Sequence, residues 1–345
     1  MSVSPIELSA PGRAVPLQVR VSAPITGRDL PIVLFSHGHG SSNHLSSLNG
    51  YGPLASYWAA RGFVVIQPTH LSSATLRGVV DANGPEGALF WRSRAEDMTR
   101  LLDALNAIED AVPGLRGRMD RSRVAVAGHS LGAMTAGMLL GQRVTDFDGS
   151  VVDLRDPRIA AGVIIAGPGN PSFLTGAARD RYPILRTLDF SGMTAPALVV
   201  VGDQDVNPMF SDQAEYRAGA YTLSPGPKDL LTMHRPLPGF VELRCALCRP
   251  DRHSGHLPGP RPGPSEVLAT ARASRLSLRL VSRRPQSRRC SSVGAPSLHS
   301  LRQASLHIAC GRCDRQAEIA GAGAAESTAR RTTSMSGTCL SLCTR

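Results

Sequence analysis

Residues 123–133 read Arg-Val-Ala-Val-Ala-Gly-His-Ser-Leu-Gly-Ala, and the fold turns on how this run is read. Five residues of strand character, Arg123–Ala127, run into Gly128-His129-Ser130-Leu131-Gly132, and a helix-prone segment, AMTAGMLLG, follows from Ala133. A serine with a glycine two residues away on each side suits a sharp strand-to-helix turn. The glycines let backbone segments approach closely, and the turn lifts the hydroxyl out of the sheet. The helix N-terminus then sets a partial positive charge beside that hydroxyl. A G-x-S-x-G match alone is weak in a chain with 34 glycines. Its position between an apolar strand and a helix of small residues gives it force; the plain alternative is an ordinary Gly-rich turn.

Outward from this turn, short runs rich in β-branched residues recur. They predict strands at Pro31–Ser36, Phe63–Gln67, Ile159–Ala166, Ala197–Val201 and Asp229–Met233, with an antiparallel edge near Leu17–Val21. Runs apolar on both faces belong to strands buried in a parallel sheet. Between them, Met98, Leu101, Leu102, Leu105 and Ile108 follow helical spacing and form one face able to cover such a sheet. Strands alternating with helices predict an α/β protein with a mostly parallel, doubly wound sheet.

Two further segments sit at predicted strand ends. Pro31–Ser36 runs directly into His37-Gly38-His39-Gly40-Ser41-Ser42, a loop that can aim a backbone N–H at a carbonyl oxygen. The amides of His39 and Leu131 are the candidate oxyanion donors. Two histidines at i and i+2 in a loop, with no neighbouring carboxylate or cysteine, make a poor metal site. After Ala197–Val201 comes Gly202-Asp203-Gln204-Asp205-Val206-Asn207-Pro208. A carboxylate just past a strand can hold an imidazole in one tautomer. Asp205 is the first choice and Asp203 the second, with a turn-capping role as its plain alternative.

With these motifs in place, residues of about 15–231 resemble the α/β-hydrolase-fold serine esterases. The SHGHGSS loop, the RVAVAGHSLGA turn and the VVVGDQD turn are similar to those of bacterial hydrolases grouped with chlorophyllases and platelet-activating-factor acetylhydrolases. The resemblance implies Ser130 as nucleophile, Asp205 as acid, the His39 and Leu131 amides as oxyanion hole, and no cofactor. It also implies a histidine shortly after the last strand. His234 follows that strand at once, but without the usual glycine-rich surroundings. His253 and His256 are alternatives, as is a chain with no working base. His129 is read as packing, and His44 and His70 as loop residues near the site entrance. The segments His70–Trp91 and Pro168–Gly192 interrupt the alternation and are predicted to wall the pocket.

Beyond residue 231 the composition changes. Residues 1–231 carry 20 Lys and Arg against 21 Asp and Glu, whereas 232–345 carry 18 Arg against 6 acids. All seven cysteines and only one aromatic residue, Phe240, lie in the second part. Two domains are therefore predicted: a hydrolase domain over 1–231 and a poorly structured basic tail over 232–345, read as an out-of-frame or replaced C-terminus. Ser265–Arg284 is its one candidate helix. Cys245, Cys248, His253 and His256, or the pair Cys310 and Cys313, would be zinc ligands of imperfect spacing. Arg283, Arg284, Arg288 and Arg289 could neutralise phosphates, but without aromatics for stacking only weak, unspecific polyanion binding is expected. There is no stretch of apolar residues long enough to span a bilayer and no leader-like N-terminus, so a cytoplasmic enzyme is expected. The predicted activity is hydrolysis of a lipid or short-chain acyl ester. The alternative is an impaired hydrolase scaffold with a zinc- or nucleic-acid-binding tail.

Overall fold

The structure is a computed structural model that describes residues 1–234. The elements run β1 (Ser2–Leu8), β2 (Leu17–Ser22), β3 (Leu30–Ser36), α1 (Gly52–Ala59), β4 (Val64–Pro68), α2 (Trp91–Asp103), α3 (Leu105–Ala111), β5 (Met119–His129) and α4 (Leu131–Leu139). The short hairpin β6 (Val144–Thr145) and β7 (Val151–Val152) follows, then β8 (Ile159–Ile165), α5 (Gly176–Arg181), β9 (Ala197–Gly202), α6 (Gly219–Thr222) and β10 (Lys228–Met233).

Eight strands form one sheet in the order β1-β2-β4-β3-β5-β8-β9-β10. The pairs β1–β2 and β2–β4 are antiparallel, and every other pair is parallel. The strands predicted from apolar runs all form, and their central members are buried on both faces, as the absence of period-2 alternation requires. The outermost strand β1 was not expected. Its alternation is confined to Ile6 and Leu8, both buried, while Ser2–Pro5 reads as turn-like sequence. A proline is tolerated there because the strand lies at an edge.

One apolar cluster covers each face of the sheet. Met98, Leu101, Leu102, Leu105 and Ile108 all reach the larger cluster, beside Trp91 and the residues of α4. Their stripe spans two helices rather than one, because the chain leaves helical geometry at Ala104 (φ −94°, ψ 12°). The other face buries Trp58, Phe63 and Ala55 against Val33, Val65 and Val163. All nine residues of α4 are buried, which explains its small, unsegregated composition.

The chain reverses its direction of travel across the sheet between β3 and β5, since β4 lies on one side of β3 and β5 on the other. In open α/β sheets the crevice at such a point, beyond the carboxyl ends of the strands, is where ligands bind. Ser36 and Gly128 are directly paired at those two strand ends. Among the described residues no helix is long and apolar enough to cross a membrane. The segment 235–345, with its candidate helix, cysteine ligands, His253, His256 and arginine pairs, lies outside the described residues.

Candidate active site

Ser130 sits between β5 and α4 with φ 54° and ψ −122°, a conformation that a non-glycine residue adopts only at a cost. Its neighbours enforce it. The Ser130 amide donates to the Ile165 carbonyl (2.9 Å), and the Ser130 carbonyl accepts from Ala133 (2.9 Å) and Met134 (3.3 Å). A β-carbon at Gly128 would run into the Gly132 carbonyl, and one at Gly132 into the carbonyls of Ser36 and His37. Gly128 is thus demanded by the closeness of the turn to the first residues of α4, and Gly132 by contact with the end of β3.

Ser130 opens into a cavity of about 250 Å³, which His39 and Leu131 also line. Leu131 is the first residue of α4, so its N–H has no carbonyl one turn back to bond. Tyr51 joins the two halves of this wall. Its hydroxyl accepts from the Gly38 amide (3.4 Å) and hydrogen-bonds His129 Nδ1 (2.6 Å). His129 packs against Tyr51, but it also lines the cavity, whereas the sequence places it as a packing residue pointing away from the site.

The sequence pairs Asp205 with His234; the structure does not, and His234 is not among the residues that line the cavity. Asp205 is buried and lines the cavity, but its partner is Arg217, whose Nε lies 3.5 Å from Asp205 Oδ2. That oxygen has no hydrogen-bond partner among the described residues. His234 instead pairs through Nδ1 with Asp203 Oδ2 (2.9 Å), at an exposed position. The cause is strand register. Met233 pairs with Gly202, and the Asp203 amide continues the ladder by donating to the Met233 carbonyl (3.0 Å), which sets residues 203 and 234 side by side. The turn after Asp203 carries Asp205 back over the sheet toward the cavity.

No protein-family model matches the chain. An esterase of Pyrobaculum calidifontis superimposes with a TM-score of 0.50, covering 82% of this chain and 85% of its own at 17% identity. That likeness agrees with the mostly parallel sheet flanked by helices just described. The chain has the α/β-hydrolase fold. A stretch of 142 residues is 28% identical to the platelet-activating factor acetylhydrolase of Cavia porcellus, covering 32% of this chain and 31% of that protein, or about a third of its length.

Within this fold the pocket walls come from more of the chain than predicted. Pro168, Tyr182 and Leu185 belong to the expected segment 168–192, but 70–91 supplies only Leu89. Tyr51, Met209, Phe210, Tyr216 and Arg217 were not anticipated. The last two reach the cavity because segment 169–170 lies backbone-to-backbone against 216–219. A β-carbon at Gly169 would run into the Tyr216 carbonyl, and Asn170 N donates to that oxygen (3.1 Å). No local sequence signal marks such a crossing.

His70 is the clearest correction. Expected as a loop residue near the entrance, it is fully buried, with Nδ1 on Asp97 Oδ2 (3.0 Å) and Nε2 on Ser36 Oγ (2.9 Å). His44 is exposed in its loop. Burial and the nearby Arg94 guanidinium hold His37 and His70 well below the usual histidine range. His37 Nε2 accepts the His70 amide (3.1 Å), so its proton resides on Nδ1 and is donated to the Gly38 carbonyl (2.7 Å). With both rings engaged in this way, neither presents a lone pair to a metal ion.

Proposed function

We propose that this protein hydrolyses carboxylic esters through an acyl-enzyme formed on Ser130. The observation that carries this reading is the forced left-handed serine at the head of α4, opening into the cavity that His39 and Leu131 share. In the first half-reaction Ser130 Oγ attacks the ester carbonyl carbon while its proton passes to a histidine. The oxyanion that develops is held by the His39 and Leu131 amides, and the alcohol leaves with the proton. Water then repeats the steps on the acyl-serine and releases the acid. Leu45, Leu89, Leu185, Met209 and Phe210 give the cavity an apolar wall that suits lipid or short-chain acyl esters, and none of these steps requires a cofactor.

We assign the base to His234. The carboxylate bonded to it is Asp203, whereas Asp205, first in sequence order, faces Arg217. This separation favours a second reading, a hydrolase scaffold whose base is not engaged. Fluorophosphonate labelling of the full chain, beside Ser130→Ala, His234→Ala, Asp203→Asn and Asp205→Asn, tests both. Labelling that is lost in Ser130→Ala and falls at least about 100-fold in His234→Ala supports the serine esterase. The acid variant with the larger loss identifies the orienting carboxylate. A folded wild type that does not label supports the scaffold reading.

A further inference from the structure

Beneath the cavity wall lies a buried polar cluster that the acyl-transfer steps leave unused. Arg94, on α2, is fully buried. Its Nε donates to Thr135 Oγ1 (3.0 Å), Nη1 to Ser72 Oγ (2.6 Å), and Nη2 to Ser36 Oγ (3.0 Å) and the His37 carbonyl. Asp97, His70 and Ser36 are connected as in a Ser-His-Asp relay, but Ser36 is buried and its Oγ also accepts from Arg94. The relay is therefore an orienting device. His70 Nδ1–H donates to Asp97, Nε2 accepts the Ser36 hydroxyl proton, and the Ser36 lone pairs are left facing the guanidinium. Asp97 is tied in turn to Arg13 (3.0 Å).

We infer that Arg94 is a positioning residue for the oxyanion hole, an inference that rests on the reading of Ser130 and the two amides above. Its four acceptors are uncharged oxygens on the two pieces of chain that supply the donors and on the loop beside them. Ser36 and His37 end β3 and begin the loop that carries the His39 amide. Thr135, on α4, donates through Oγ1 to the Leu131 carbonyl (3.2 Å), on the residue that supplies the other amide. Ser72 anchors the adjoining loop. One rigid guanidinium thus links the His37 carbonyl to the Thr135 hydroxyl and sets the spacing of the two donors. A lysine has no planar fork and cannot serve these separate acceptors together. Oxyanion stabilisation depends on donors within about 2.7–3.1 Å of the developing charge, so slack here acts on the transition state rather than on substrate binding.

The test compares full-length wild type with Arg94→Lys, Thr135→Val and the control Ile108→Val, a buried apolar position of α3 that makes none of these hydrogen bonds. Turnover of p-nitrophenyl acetate is measured beside inhibition by an aryl trifluoromethyl ketone, which adds to the serine and places an oxyanion in the same hole. Thermal midpoints are recorded for each. The expected result is a kcat loss of about 10–100-fold in Arg94→Lys and about 5–10-fold in Thr135→Val, with KM within about twofold. The ketone inhibition constant should rise in proportion to the loss, and Ile108→Val should lower the midpoint alone. If Arg94→Lys does not fold, Thr135→Val carries the same comparison. An active wild type whose folded variants lose only thermal stability overturns the inference alone. A wild type that neither turns over ester nor labels overturns the serine esterase reading, and the inference with it.

Discussion

Gly132 has no room for a side chain, because two carbonyl oxygens at the end of β3 occupy the space its β-carbon would need. Neither oxygen is the tip of a flexible side chain, so the backbone itself would have to move. Gly132→Ala is expected to cost about 3 kcal/mol, at the upper end of overpacking penalties, and to slow labelling of Ser130. Urea unfolding checks this, and an unchanged midpoint would contradict it. The role of this glycine was legible in residues 128–132 because the motif is local. The pairing of the acids was not. Asp203 and Asp205 are two residues apart and chemically identical, and only the register of β10 on β9 decides which one meets His234.

Among elements, α2 does more than cover the sheet. Its buried face carries Arg94 and Asp97 as well as Met98 and Leu101, so a helix recognised by its apolar spacing also delivers the polar cluster. Burial raises the Asp97 carboxyl to about 6, while it holds His37 and His70 well below 6.5. The depressed histidines stabilise the fold fully above pH 6.5, and that contribution is lost as pH falls. The raised carboxyl acts oppositely: its contribution is full below about pH 4 and is lost as pH rises through 6. Two histidines outweigh one carboxyl, so stability should fall by about 1 kcal/mol per pH unit from pH 6 to 5. Asp97→Asn removes the opposing titration and should steepen the slope. Urea unfolding across pH 5–7 measures both, and a flat wild-type profile would contradict the assignment.

For the whole molecule, charge and chemistry occupy different parts of the chain. Residues 1–231 are nearly neutral, and the formal +11 arises from the arginines beyond them. The full chain is expected to bind heparin and random single-stranded DNA alike, with binding lost as NaCl is raised to about 0.3 M. Fluorescence anisotropy at several salt concentrations reads this out, and a sequence preference at constant salt would contradict it. The site, by contrast, belongs to the sheet. It lies where the chain reverses between β3 and β5, and this placement makes the Gly-rich ends of two strands distant in sequence into neighbours.

The α/β alternation, the turn at Ser130, the loop at His39 and the identity of the buried stripe are legible in the order of residues. Each of these is a matter of spacing and backbone preference within a dozen or so residues. Tertiary structure alone decided that Asp203 rather than Asp205 meets His234, that Arg217 answers Asp205, that His70 is buried, and that Arg94 spans both halves of the proposed oxyanion hole. Those contacts join residues 31, 27, 41 and 58 positions apart, with Asp205 and Arg217 meeting across a loop. A polar side chain in an amphipathic pattern carries no local mark of the partner it will find. The packing of strands and helices sets that partner, because a buried charge or imidazole is stable only where the fold supplies its hydrogen bonds.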